Sequence, residues 1–112
     1  MAELNTLYLP EKYAVQVRKL LEKYIPEATV WAYGSRVRGD HYEASDLDLV
    51  ARFPAEKKRD VFRLGVVREA FVESHVPIIV QIVDCDEIPE SFKQEILAGY
   101  VVVQKTDVEP TA

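Results

Sequence analysis

The alternation of apolar and polar residues along the chain predicts four helices that alternate with four strands. Apolar residues recur every three or four positions in the helical segments, whereas the strand segments are short apolar runs bounded by glycine, proline or charged residues. The predicted helices span residues 11–24, 35–38, 55–74 and 90–98. The predicted strands span residues 28–33, 46–53, 78–83 and 100–104. We therefore expect an α/β (α+β) fold, with a small mixed β-sheet flanked by helices.

Two segments carry more specific expectations about burial. The long helix over residues 55–74 has an apolar stripe that we expect to face the core. Its members are Val61, Leu64, Val67, Phe71 and Val72. The strand over residues 78–83 is almost entirely apolar, which is typical of a central strand buried on both faces.

Length and charge narrow the class of protein. The 112 residues predict one domain, with flexible ends at residues 1–9 and 105–112. The formal net charge of −5 argues against a general nucleic-acid binder, which would present a basic face. The acidic N-terminus lacks the apolar core of a signal peptide, and no apolar run approaches the ~20 residues of a membrane helix. The single cysteine, Cys85, excludes a disulfide framework, so we expect a reducing, cytoplasmic compartment.

The most informative stretch is GSRVRGDHYEASDLDL, residues 34–49. Asp46 and Asp48 are two positions apart in a predicted strand, so both carboxylates should point to the same side. Two like charges side by side are costly unless a cation lies between them. Magnesium prefers oxygen ligands and is commonly held by one or two carboxylates together with substrate phosphates. The pattern therefore predicts that Asp46 and Asp48 bind Mg²⁺ and are catalytic.

A glycine-serine turn precedes this acid pair. The turn at Gly34 and Ser35 can offer backbone N–H groups to phosphate, and Arg36 and Arg38 can hold phosphate oxygens bidentately. Each piece alone has an ordinary explanation, because Asp-x-Asp occurs on solvated strands and Gly-Ser in many turns. Their joint appearance between two apolar strands is more specific and favours a nucleotide site.

The segments GSRVRG and SDLDLV together resemble the minimal nucleotidyltransferases, which are small relatives of the DNA polymerase β palm. The resemblance runs from about residue 26 to residue 104. It implies the polymerase-β-like nucleotidyltransferase fold, a nucleoside triphosphate substrate, with ATP expected, and Mg²⁺. It also implies nucleotide-binding positions at Gly39, Ser45 and Gln81. Finally, it implies transfer of AMP to an all-helical HEPN toxin encoded beside it, and hence a hetero-oligomer.

The third strand departs from the family pattern. The family resembled here usually carries a third carboxylate on this strand, and the matching position holds Gln81. Asp84 lies three residues further on, so it should face the other side of a regular strand unless a β-bulge re-aims it. Glutamine has no charge and cannot accept a proton as a general base. We therefore expect weak binding of a second metal and slow or absent transfer.

Three functions remain open at this point. The first is an AMP-transferring enzyme, and the second is a nucleotide-binding subunit that acts as an antitoxin by direct contact. The third is antibiotic modification, although larger relatives with that activity usually carry an added helical domain. Among the smaller features, Tyr42 is the better candidate for an adenine or partner contact. His41 is expected in an exposed loop near phosphate, and Tyr33 in the core or flanking the site.

Overall fold

A four-stranded mixed β-sheet forms the centre of the computed structural model, which describes residues 3–54 and 63–105. The strands are β1 (Thr29–Tyr33), β2 (Leu47–Arg52), β3 (Val80–Asp84) and β4 (Val101–Gln104). They lie in the order β3-β2-β1-β4. Strand β1 is antiparallel to both of its neighbours, whereas β3 is parallel to β2. The predicted mixed sheet is therefore confirmed.

The helices also follow the predicted order. They are α1 (Glu11–Tyr24), α2 (Ser35–Arg38), α3 (Arg63–Glu73) and α4 (Glu90–Leu97), and a 3₁₀ turn (Cys85–Glu87) follows β3. The first part of the helix predicted over residues 55–74, including Val61, lies outside the described residues. None of the helices in residues 3–54 and 63–105 has the length and apolarity needed to span a bilayer.

One face of the sheet packs against α1 and α3 and forms the main core. Because side chains alternate along a strand, Val30, Ala32, Leu47, Leu49 and Ile82 all point to this face and are buried. Helix α1 adds its stripe of apolar side chains, and α3 adds three more. These helix residues are Ala14 and Val17 with Leu21 from α1, and Leu64, Val67 and Phe71 from α3.

The opposite face is only partly covered, by α4. Ile96 of α4 is buried against Val50, and Phe92 and Leu97 pack at the edges of the same cluster. The rings of Trp31 and Tyr100 stack there with their centroids 4.0 Å apart. The next alternate positions on this face, toward the start of β2, are polar, and they include the acid pair.

Two expectations about burial are wrong. Val72 is 79% exposed, because Leu64, Val67 and Phe71 already fill the core side of α3 and Val72 lies about 100° further around the helix. The apolar third strand is an edge strand and not a central one, and Ile79 just before it is 65% exposed. The outward carbonyl of Ile82 accepts hydrogen bonds of 3.1 and 2.7 Å from Arg68 of α3, which satisfies part of this edge.

Residues 3–9 form an N-terminal strap that crosses α2. The N–H of Leu4 donates to the Tyr100 carbonyl at 2.7 Å, and the N–H of Tyr8 donates to the Arg36 carbonyl at 2.7 Å. Leu7 and Leu9 pack against the main core. We expected this segment to be flexible. Backbone hydrogen bonds instead connect it to Tyr100, just before β4, and to α2. At the other end, residues 106–112 of the expected flexible tail lie outside the described residues.

Candidate active site

The acid pair lies where β2 begins, on the partly open face of the sheet. Asp48 pairs with Tyr33 of β1 on one side and with Gln81 of β3 on the other, so the three side chains form one row across the sheet. Burial raises the pKa of Asp48, the negative charge of Asp46 raises it further, and the Arg38 guanidinium opposes both effects. The charge of Asp46 therefore affects Asp48, as expected for two carboxylates on the same face of a strand.

Gln81 reaches the acid pair directly. Its Nε2 donates a hydrogen bond of 2.8 Å to Oδ2 of Asp46. Asp84 does not join them, because the β2–β3 register runs without a break to the pair Ala51 and Asp84, and the buried Ala51 belongs to the other face. Oδ1 of Asp84 instead accepts the N–H of Asp86 at 2.8 Å and caps the 3₁₀ turn. No bulge re-aims Asp84, so Gln81 and not Asp84 faces the acid pair from β3.

Gly34 brings the turn that opens α2 against Asp48 of the acid pair. Its φ of +82° lies in the region that favours glycine, and a Cβ built on it would lie 2.6 Å from Oδ2 of Asp48. Helix α2 begins at the next residue, and the N–H groups of Val37 and Arg38 both donate to the Gly34 carbonyl at 3.0 Å. The N–H groups of Ser35 and Arg36 precede these first helical bonds, so they are the donors available to an anion.

A cleft of about 530 Å³ opens between this turn and α4. Gly34, Ser35, Arg38 and Asp48 line one wall, as the sequence predicted for a shared site. The other residues of the lining are Leu4, Tyr33, Phe92, Glu95, Ala98 and Gly99. Leu4 and Glu95 come from distant parts of the chain and carry no local sequence signal.

Tyr33 belongs to the cleft and also to the aromatic cluster beneath α4. Its ring meets that of Phe92 edge to face, with the centroids 5.6 Å apart. Burial, and secondly the charge of Asp48, raise the pKa of Tyr33 to about 12. The phenol therefore keeps its proton at neutral pH and is available as a hydrogen-bond donor beside Asp48.

Arg36 points away from the cleft into the protein, where it is only 3% exposed. Its guanidinium donates to three backbone carbonyls, at 3.0 Å to Ser45, 2.8 Å to Tyr8 and 2.9 Å to Glu43. These bonds join α2 to the N-terminal strap and to the loop that leads into Asp46. We therefore assign Arg36 to the support of this loop, and Arg38 alone of the two arginines to the cleft wall.

Ser45 and Gly39 also lie behind the cleft. The buried Ser45 accepts the N–H of Tyr42 on its Oγ at 2.9 Å and donates its own N–H to the Tyr42 carbonyl at 3.0 Å, which closes a turn before Asp46. Gly39 ends α2 with a φ of +89°, and a Cβ there would lie 3.3 Å from the Tyr8 ring. The resemblance implied nucleotide contacts for both residues, whereas these bonds give them a part in shaping the backbone.

The donor set fits a magnesium ion completed by substrate. Within residues 3–54 and 63–105 there is no group of three or more His, Cys, Asp or Glu side chains placed to hold a metal. Two carboxylates plus phosphate oxygens are nevertheless a common way to hold Mg²⁺. Burial and, secondly, the charge of Asp46 raise the pKa of Asp48, and a cation between the two carboxylates would lower it.

Comparison with known proteins decides the family. Residues 15–103 match the model of the nucleotidyltransferase domain family. The chain belongs to this family. It is also 39% identical over 99 residues to the probable protein adenylyltransferase MntA of Haemophilus influenzae, which covers 86% of the chain and 85% of that protein. The resemblance to the minimal nucleotidyltransferases is confirmed.

Solved structures of this family share the fold. A crystal structure of a toxin–antitoxin with AMP-PNP has a TM-score of 0.68 and 19% identity, over 84% of this chain and 74% of that one. A double Asp-to-Glu mutant of the toxin–antitoxin MntA–HpeT has a TM-score of 0.67 and 17% identity, with the same coverage. The mixed sheet flanked by helices is therefore the nucleotidyltransferase fold.

Proposed function

We propose that the protein transfers AMP from ATP to a hydroxyl group of a partner protein, using Mg²⁺ held by Asp46 and Asp48. The close approach of Gly34 to Asp48 carries this proposal, because it brings the turn that opens α2 and one carboxylate of the acid pair to the same cleft. Such a pairing suits a triphosphate whose metal and phosphates are bound together. The relative that is a probable protein adenylyltransferase supports AMP as the group transferred.

The reaction would proceed by displacement at the α-phosphorus of ATP. The acceptor oxygen forms a bond to that phosphorus, the bond to the β-phosphate oxygen breaks, pyrophosphate leaves, and the hydroxyl proton passes to water. Mg²⁺, when bound, would neutralise triphosphate charge and polarise the α-phosphate. The protein's own part is positioning: Asp46 and Asp48 would hold the metal, while Arg38 and the first N–H groups of α2 would hold the β- and γ-phosphates.

The partner is proposed to be an all-helical HEPN toxin encoded next to this protein, with which it forms a hetero-oligomer. The resemblance carries this proposal, and the toxin–antitoxin complexes among the structural neighbours support it. A reducing, cytoplasmic location stays a prediction.

Incorporation of label from [α-³²P]ATP into the purified HEPN protein tests the proposal. We expect incorporation with wild type and none with the Asp46→Asn/Asp48→Asn double variant, because both metal-binding charges are lost. Titration calorimetry should show that the same variant loses Mg²⁺-dependent binding of ATP. Label transfer or Mg²⁺-dependent affinity that is unchanged in the double variant would refute the assignment of these two residues.

Gln81 favours a second candidate function, in which the protein neutralises the toxin by contact alone. The neutral amide of Gln81, which donates to Asp46 at 2.8 Å, supports this candidate, because the resemblance implies an acid at that position. Growth rescue separates the two functions. If the Asp46→Asn/Asp48→Asn variant still protects cells that express the toxin, contact suffices; if protection is lost while the complex still forms, transfer is required.

A further inference from the structure

The two sides of the acid pair differ in how far they are enclosed. On the β1 side, the Gly34 turn, α4 and Leu4 enclose the cleft where a triphosphate would lie. On the other side lies β3, the edge strand, which carries the exposed Gln81. A group that reaches the acid pair from outside the protein therefore has an open approach over β3.

The exposed Ile79 lies on this open side of the acid pair. The N–H of Leu47 donates to the Ile79 carbonyl at 2.9 Å, as the parallel pair of Leu47 and Val80 requires, and Ile78 and Val80 pack against the main core, which leaves Ile79 on the opposite face. Ile79 then lies beside Asp46, two positions before Gln81 and on the same face of the sheet. It is 65% exposed, and only Val72 and Tyr42 are more exposed among the large apolar side chains of the described residues.

Tyr42 is a second exposed apolar group, in the loop that leads into Asp46. It is 72% exposed, yet its backbone is fixed by the turn to Ser45, and that turn is anchored by the Arg36 guanidinium. The loop therefore presents the Tyr42 ring from a fixed backbone four residues ahead of Asp46. The same loop carries the exposed Glu43, which lines one surface pocket together with Pro77 and Ile78, the residues just before Ile79. An exposed apolar patch rimmed by polar residues commonly marks a surface that binds another protein.

The in-line geometry of the proposed reaction indicates what would bind to this surface. In phosphoryl transfer the attacking and leaving oxygens lie roughly in line. Because pyrophosphate would leave toward Gly34 and Ser35, the attacking hydroxyl must arrive from the β3 side. We propose that Ile79, Tyr42 and Glu43 form the acceptor-docking surface, which binds the partner segment that presents the hydroxyl. That segment places an apolar side chain against Ile79 and a basic residue against Glu43, by charge complementarity. This inference rests on the proposed function.

The experiment compares Ile79→Ser with Val72→Ser, a matched control on α3 that is even more exposed and lies away from the site. Affinity for the HEPN-type protein is measured by biolayer interferometry, and label transfer from [α-³²P]ATP is measured against partner concentration. For Ile79→Ser we expect about tenfold weaker engagement of the partner, seen as a higher KM or Kd, and no change for Val72→Ser. Glu43→Gln should weaken binding most at low salt.

Each outcome decides the proposal. Equal effects of Ile79→Ser and Val72→Ser, or no effect of either, would overturn it. A fall in ATP affinity as large as the fall in partner affinity would also overturn it, since Ile79 would then support the nucleotide site. If wild type transfers no label, the proposed function fails, and the affinity of Ile79→Ser for the partner still decides the docking surface.

Discussion

The side-chain amide of Gln81 donates to a carboxylate oxygen of Asp46 at 2.8 Å. The bond shows that Gln81 faces the acid pair, and it also occupies an acceptor position on an oxygen that a metal would use. An amide can turn its carbonyl oxygen toward a cation but brings no negative charge. The side chains gathered here are therefore two carboxylates and one neutral amide.

Restoring the third acid should raise transfer. We expect Gln81→Asp to increase the rate of AMP transfer to the HEPN protein by roughly 10²-fold or more, because a missing base or second metal typically costs about 10²–10⁴ in rate. The measurement is the initial rate of label incorporation from [α-³²P]ATP at saturating partner.

Asp84→Asn is the control for this prediction. Asp84 caps the 3₁₀ turn on the other side of the strand, so its replacement should leave the transfer rate within a factor of about two. If wild type transfers rapidly and Asp84→Asn abolishes transfer, then Asp84 is the third acid and the role given to Gln81 is wrong.

Removing one charge of the acid pair should stabilise the metal-free protein. Burial and the charge of Asp46 raise the pKa of Asp48 above its ordinary value of 3.8, so the ionised form destabilises the fold. We expect Asp48→Asn to raise Tm at pH 7 by about 2–4 °C. This is a fraction of the roughly 4–8 °C that 1 kcal/mol gives in a domain of this size, because Asp48 is only half-buried and its charge is screened by water.

The raised pKa of Asp48 also determines how the Tm difference between Asp48→Asn and wild type depends on pH. A carboxyl with a raised folded-state pKa contributes stability that is complete below 3.8 and is lost as pH rises through the raised value. The Tm advantage of Asp48→Asn should therefore shrink as pH falls toward 3.8 and persist at neutral pH. Calorimetric scans from pH 4 to pH 7 measure it, and an advantage that grows on acidification would contradict the assignment. Addition of Mg²⁺ should raise Tm for wild type more than for the variant.

Substitutions of Arg36 and Arg38 should have different effects, one on the stability of the fold and the other on ATP binding. Arg36→Met removes the donor to three carbonyls, and we expect a loss of about 2–4 kcal/mol in the free energy of unfolding by urea. Arg38 is exposed and pairs with Asp40 at 3.3 Å, so Arg38→Gln should change stability by less than about 0.5 kcal/mol. It should instead weaken ATP binding about tenfold in calorimetry. The reverse pattern would show that Arg36 contacts the nucleotide.

Two glycine-to-alanine changes should have opposite effects. Gly34→Ala forces a Cβ to within 2.6 Å of Oδ2 of Asp48 at a φ of +82°, so it should cost roughly 2 kcal/mol or more and displace the carboxylate. Gly65 lies in α3 with nothing within 4 Å of a Cβ, and Gly65→Ala should gain about 0.5–1 kcal/mol. Urea unfolding gives both values. Mg²⁺-dependent ATP binding should weaken for Gly34→Ala but not for Gly65→Ala. Unchanged ATP binding by Gly34→Ala would show that Gly34 is not part of the nucleotide site.

Local periodicity was enough to predict the order of the elements and the shared face of Asp46 and Asp48, because both depend on residues that are neighbours in sequence. It was not enough for Arg36, whose burial depends on the carbonyl of Tyr8, 28 residues away. The position of β3 in the sheet was predicted wrongly for a similar reason. An apolar run shows that a strand packs against other residues, but it does not show whether the strand is central or at the edge of the sheet. Leu4 and Glu95 reach the cleft only through tertiary packing.

The N-terminal strap has a practical consequence for work with the isolated domain. The match to the family begins at residue 15, yet Tyr8 binds Arg36 through both its N–H and its carbonyl, and Leu4 lines the cleft. Trimming to the family-matched region would remove both hydrogen bonds between Tyr8 and Arg36 while leaving every motif residue in place.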